Sequence, residues 1–181
     1  MEKHPNVEYI MLSERKIARR IKALGAQLDK LYDGRKPVVV CILKGSSVFF
    51  SDLIRSMKTT LTVDFMEVSS YGSGTKSSGE IIIKKDLSTD ITGRDVLIVE
   101  DIIDSGNTLY NLKKLLIGRT PASVNIVTLL DKPARREAPI EPEYTGFIIE
   151  DEFVIGYGLD YAEEYRNLPY VGVLKRSVYE N

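Results

Sequence analysis

The 181-residue chain is 43% hydrophobic, long enough to bury one sizeable core as a single domain. Its 25 Lys and Arg nearly balance 26 Asp and Glu, so a non-specific nucleic-acid binder is disfavoured and any positive charge for phosphates must be local. One cysteine, Cys41, excludes an internal disulfide and fits a reducing, cytoplasmic setting, and no apolar stretch approaches the roughly 20 residues that span a bilayer.

Residues 1–9 are mixed and polar, without an apolar signal-peptide core. In residues 13–31, Ile17, Ile21, Leu24 and Leu28 recur at helical spacing; Ser13 can cap this helix and Asp33-Gly34 stop it. Residues 37–43 (PVVVCIL) form a continuous apolar run, as expected of a strand buried on both faces, with Cys41 a small buried hydrophobe within it. After Lys44-Gly45-Ser46-Ser47 a helix is expected, with Val48, Phe49, Leu53, Ile54 and Met57 on its inner side. Strands at 61–68 and 80–85 enclose residues 69–79 (SSYGSGTKSSG), which offer nothing to anchor to a core and read as a mobile loop. Composition alone leaves open whether that loop is functional or an idle hairpin tip.

Residues 95–99 (DVLIV) are a further buried strand, followed by Glu100-Asp101 and then by a helix over 108–117 that ends near Gly118. A strand at 123–130 leads into Asp131-Lys132-Pro133, and short strands follow near 147–149, 154–156 and 170–174. The order predicts an α/β fold, a mainly parallel central sheet flanked by helices, with no internal repeat. The core spans roughly 34–132 plus later strands. Segments of roughly 1–15 and 145–181 are expected to form a small hood lobe.

In open α/β sheets ligands bind beyond the carboxyl ends of the strands, where Lys44-Gly45, residues 100–108 and Asp131-Lys132 all fall. Glu100 and Asp101 suit a ribose diol, either directly or through Mg²⁺, which prefers hard oxygen ligands. Residues 104–108 make a small, polar, Gly-containing turn into a helix N-terminus, where free N–H groups and the helix dipole favour a phosphate. The alternative is a capped helix after a strand with solvated acids. Dinucleotide-binding G-x-G-x-x-G and Walker-type fingerprints are both missing.

Residues 99–109 (VEDIIDSGNTL) resemble the phosphoribosyl pyrophosphate (PRPP) motif of type I phosphoribosyltransferases. Over nearly its whole length the chain is similar to the bacterial hypoxanthine(-guanine) phosphoribosyltransferase branch of that family. Six blocks in order carry the resemblance: residues 43–46, 63–65, 69–72, 99–109, 129–132 and 153–166 (FVIGYGLDYAEEYR).

The resemblance implies Mg²⁺-dependent transfer of phosphoribosyl from PRPP to N9 of hypoxanthine or guanine, releasing pyrophosphate. Glu100 and Asp101 would hold the ribose hydroxyls with the metal nearby. Asp104, Ser105, Gly106, Asn107 and Thr108 would cradle the 5′-phosphate, with Asp104 the candidate general base near N7. Lys44-Gly45 matches a pyrophosphate loop that often contains a cis peptide, and Arg166 an arginine gripping pyrophosphate. Lys132 matches the donor to the purine O6, Phe153 the aromatic on the purine face and Val154 a backbone contact to the base. Asp160 matches a carboxylate beside the purine residues, near a second Mg²⁺ and the pyrophosphate. By themselves Lys132 reads as a surface lysine, Phe153 as a core aromatic, and Asp160 with Arg166 as a surface ion pair. Ser70-Tyr71 would open a loop that closes over the site, excluding water. The family assembles as homodimers or homotetramers, and neither nucleic acid nor membrane is expected as a partner.

Two other classes fit less well. A PRPP-fold regulator acting on RNA or DNA would need a basic patch and would have no use for Lys132, Phe153, Asp160 and Arg166 together. A phosphoacceptor signalling domain would not explain the long hairpin or the turn after the acids. Within enzymes, a xanthine-preferring transferase differs only in what surrounds C2.

Overall fold

The structure, a computed structural model, describes residues 2–70 and 81–180. Its central sheet has six strands: β2 (Val38–Leu43), β3 (Thr62–Ser70), β4 (Ile81–Lys85), β5 (Asp95–Ile103), β6 (Ser123–Asp131) and β7 (Tyr144–Ile148), in the spatial order β4-β3-β2-β5-β6-β7. Every neighbouring pair is parallel except β3–β4, the hairpin arms.

The apolar runs follow from burial on both faces. Val39 and Cys41 of β2, with Leu97 and Val99 of β5, pack under α1 (Glu14–Leu31) and α2 (Ser47–Ser56), against Leu24, Leu28, Phe49 and Leu53. Val38, Val40, Val96 and Ile98 point the other way, onto Leu109, Leu112 and Leu116 of α3 (Asn107–Ile117). The Ser13 hydroxyl accepts from Lys16 N at 3.3 Å and caps α1, as its position suggests. Cys41 is fully buried beside Ser46, and burial pushes its thiol up to about 11.

A second sheet, β1-β9-β8, joins β1 (Val7–Leu12), β9 (Val171–Leu174) and β8 (Val154–Ile155) from opposite ends of the chain. Val7, Ile155, Tyr170 and Leu174 form its own small core. Strand β1 lies partly within the polar-looking residues 1–9; only Val7 and Leu12 of it are buried, too few to announce a strand. A short helix, α4 (Arg176–Tyr179), follows β9. Among the described residues no helix is long and apolar enough to cross a membrane.

One boundary differs in a way that matters. The strand expected over 95–99 runs to Ile103, because Glu100, Ile102 and Ile103 stay paired with Thr128, Leu130 and Asp131 of β6. On its other side β5 loses its partner after Val99, which pairs with Cys41. Glu100 and Asp101 therefore stand on a strand whose far edge opens where β2 turns away. Most of the loop expected over 69–79, Tyr71 included, lies outside the described residues.

Candidate active site

That opening is a cleft of about 380 Å³ at the carboxyl ends of β2 and β5. It collects Lys44, Gly45, Glu100, Asp101, Asp104, Ser105, Gly106, Thr108, Asp160 and Arg166 from three separate stretches of chain. Burial, reinforced by the adjacent Asp101 charge, pushes the Glu100 carboxyl well above its usual range. Two carboxylates so placed favour a cation or a hydroxyl pair between them.

Gly45 explains how the acids meet the β2 loop. A Cβ there would fall 1.8 Å from Asp101 Oδ2, so only glycine lets the carboxylate lie against that backbone. The cis peptide expected of this loop is present at Leu43–Lys44, the bond that enters Lys44 and not the one between Lys44 and Gly45.

The phosphate turn is built from behind. Arg136 Nη1 donates to Asp104 O at 2.6 Å, and Glu137 N and Ala138 N donate to Ser105 O at 2.9 and 3.0 Å. In a trans peptide the N–H points opposite to the carbonyl, so the Ser105 and Gly106 N–H groups turn away from residues 136–138. Gly106 caps α3 at φ +79, where a Cβ would meet Ile140 Cγ2 at 2.8 Å and Arg136 Cδ at 3.1 Å. Arg136 also pairs with the largely buried Asp131. Arg136, Glu137 and Ala138 were not legible as site residues; in sequence they sit in a Pro-rich stretch without period.

Asn107 departs from the expectation that it lines the cradle: its amide donates to Glu137 Oε2 at 2.8 Å instead, bracing the turn. Asp104 is half-exposed, with Arg135 Nε 3.0 Å from its Oδ1, though not aligned as a hydrogen bond.

Asp160 and Arg166 form an ion pair at 2.9 Å, as the bland alternative held, yet both line the cleft. Arg166 Nη1 also donates to Gly158 O at 2.9 Å, while its buried Nε has no acceptor among the described residues. Glu163 Oε2 lies 3.1 Å from Lys44 Nζ and 3.4 Å from Arg166 Nη2, and Lys44, then Arg166, holds this carboxyl below its usual range.

Glu100, Asp101 and Asp160 do not converge as a metal cage. Among the described residues no three His, Cys, Asp or Glu side chains gather closely enough to hold a metal ion, because Asp160 is turned to Arg166 and to Glu163 N. The donor chemistry still fits Mg²⁺, which commonly takes one or two carboxylates and completes its shell with substrate phosphates and water.

Lys132, Phe153 and Val154 lie outside the lining of this cleft. Lys132 is no surface lysine: it is buried, donating from Nζ to Glu152 O at 2.7 Å with Asp151 Oδ1 at 3.7 Å. Phe153 is not core either, being 39% exposed and stacked on Tyr179 with ring centroids 4.9 Å apart. Val154 is buried in β8. Ser70 ends β3.

Comparisons with known proteins bear on the family and the fold. The family model described as phosphoribosyl transferase domain matches residues 10–162. The hypoxanthine-guanine phosphoribosyltransferase of Bacillus subtilis is 53% identical over 181 residues, all of both chains. The bifunctional protein TilS/HprT of Listeria innocua is 53% identical over 97% of this chain, which spans only 27% of that relative. A crystal structure of a Staphylococcus aureus hypoxanthine phosphoribosyltransferase superposes with a TM-score of 0.96 at 54% identity, covering 98% of this chain and 97% of its own. A family match over most of the residues, and identity above half from end to end, place the chain in the phosphoribosyl transferase domain family.

Proposed function

We propose that the protein salvages 6-oxopurines, transferring the phosphoribosyl group of PRPP to N9 of hypoxanthine or guanine. The observation that carries this is one cleft holding an acid pair, a phosphate-type turn and two cations, in a chain whose relatives bear that activity by name. In the reaction the bond from ribose C1 to pyrophosphate breaks, the C1–N9 bond forms, and the purine gives up its N7 proton.

Glu100 and Asp101 hold the ribose hydroxyls, and the N–H groups of residues 105–108 take the 5′-phosphate. Lys44, Gly45 and Arg166 receive the pyrophosphate; the unpartnered Arg166 Nε supports that role. Asp104 accepts the N7 proton. Glu100 and Asp101 would hold Mg²⁺, with Asp160 lining the same cleft, and the ion would supply charge neutralisation for the phosphates. No residue becomes covalently attached; positioning and charge supply most of the rate.

Lys132 gives the preference for a 6-oxo group. An ammonium has three N–H donors, and Glu152 O takes one of them. Adenine would present a donor to that fixed cation and leave it unpaired. The purine stacks on the face of Phe153 opposite Tyr179, and Val154 contacts it through its backbone. The small sheet with its flanking segments acts as the hood. Exposed Val63, Phe65 and Ile82 on one face of β3–β4 support assembly into a homodimer or homotetramer, in a cytoplasmic setting that suits the buried thiol.

Asp104→Asn tests the chemistry directly. Turnover should fall about 100-fold, the scale of a general base, while PRPP binding by calorimetry stays within about twofold. Unchanged turnover removes Asp104 from the mechanism.

A further inference from the structure

The two cations assigned to pyrophosphate do not stand apart. One oxygen, Glu163 Oε2, lies 3.1 Å from Lys44 Nζ and 3.4 Å from Arg166 Nη2. It thereby joins the loop after β2 to the loop between β8 and β9. Neither a strand nor a helix puts it there. Glu163 and Ala162 have φ of +67° and +51°, a left-handed pair that side-chain-bearing residues seldom adopt. The turn is held by Glu163 N donating to Asp160 Oδ2 at 2.9 Å and by Glu164 N donating to Tyr161 O at 3.0 Å.

Fold stability does not account for this arrangement. The Lys44 and Glu163 side chains are 60% and 65% exposed, and ion pairs so exposed contribute little. Orienting Arg166 does not account for it either, since Asp160 Oδ1 and Gly158 O already fix the guanidinium through Nη1. What Glu163 adds is negative charge between two positive groups.

We propose that Glu163 is the internal counter-anion of the pyrophosphate subsite. It takes the place between Lys44 and Arg166 that a diphosphate oxygen occupies in the loaded site, and gives way when the ligand arrives. The inference rests on the assignment of Lys44 and Arg166 to pyrophosphate made above. An exposed side chain on a surface turn can swing out without disturbing the core. With the cleft empty, the carboxylate neutralises two neighbouring cations. With ligand present it competes, weakening the hold on every diphosphate-bearing species and easing release of the product.

The test is calorimetric titration of inorganic pyrophosphate, at fixed Mg²⁺, into the wild-type protein, Glu163→Gln and Arg166→Gln. Glu163→Gln should bind pyrophosphate about fivefold tighter at low ionic strength, the scale of two exposed ion pairs. That advantage should shrink towards none in about 0.5 M salt, where exposed charges are screened. The KM for PRPP should fall in parallel, with the KM for the purine unmoved. Unchanged or weaker pyrophosphate binding in Glu163→Gln overturns the proposal. Arg166→Gln is the separate control: weaker binding upholds the subsite, whereas wild-type affinity there would remove the subsite on which the inference stands.

Discussion

Lys132 is where the environment of one residue decides its chemistry. A lysine before a proline at the end of a strand is ordinarily solvated, and nothing in its neighbours' identities says otherwise. The fold buries it and aims its ammonium at Glu152 O, beside Asp151. A buried ammonium needs acceptors around it, so on the proposed reading an incoming purine oxygen would complete a set already begun. Lys132→Ala should raise the KM for hypoxanthine about tenfold or more and relax the exclusion of adenine, with the KM for PRPP unmoved. Unchanged purine kinetics would make Lys132 a structural residue alone. Glu100, Asp101 and Asp104 could be placed at the cleft in advance because they lie in one short motif at a strand end, Arg166 only through the family resemblance. Arg136 could not, since its guanidinium reaches the backbone carbonyl of Asp104, a residue 32 positions away in sequence.

At the scale of elements, the turn from β5 into α3 is the proposed phosphate site, and its geometry is set by what lies behind it. Residues 136–138 fix two successive carbonyls, and Gly106 supplies the left-handed residue that lets the helix begin. Gly106→Ala would force a side chain into φ +79 and against Ile140. Such strain costs about 1–2 kcal/mol from the backbone alone. The turn should relieve it by shifting, so the affinity for ribose 5-phosphate should drop about tenfold or more while pyrophosphate affinity holds. Equal binding of ribose 5-phosphate by both proteins would place the phosphate elsewhere. The elements themselves were largely legible, because both-face burial writes continuous apolar runs and α1 carries a clear helical period. The end of β5 was not: Glu100 and Asp101 look like the close of a strand, yet β6 keeps pairing with β5 past them. A one-sided ladder leaves no trace in the sequence of either strand.

Across the whole molecule, two sheets divide the work. The six-stranded sheet brings three strand ends to one edge, and the three-stranded sheet, knitted from both ends of the chain, holds Val154, with Phe153 just before it. The small sheet was visible beforehand only as an expectation of a hood, since its pairing of β1 with β9 joins residues more than 150 positions apart. On the proposed reading, sugar and phosphates would lie at the strand ends of the large sheet and the base beside Lys132, Phe153 and Val154. The direct test is a spectrophotometric assay of PRPP with hypoxanthine, guanine, xanthine, adenine and uracil, each with Mg²⁺ and again after chelation. Turnover of hypoxanthine or guanine that chelation abolishes, with adenine and uracil inert, is the predicted result. Tight PRPP binding without turnover of any base would contradict the account and leave a PRPP-sensing protein in its place.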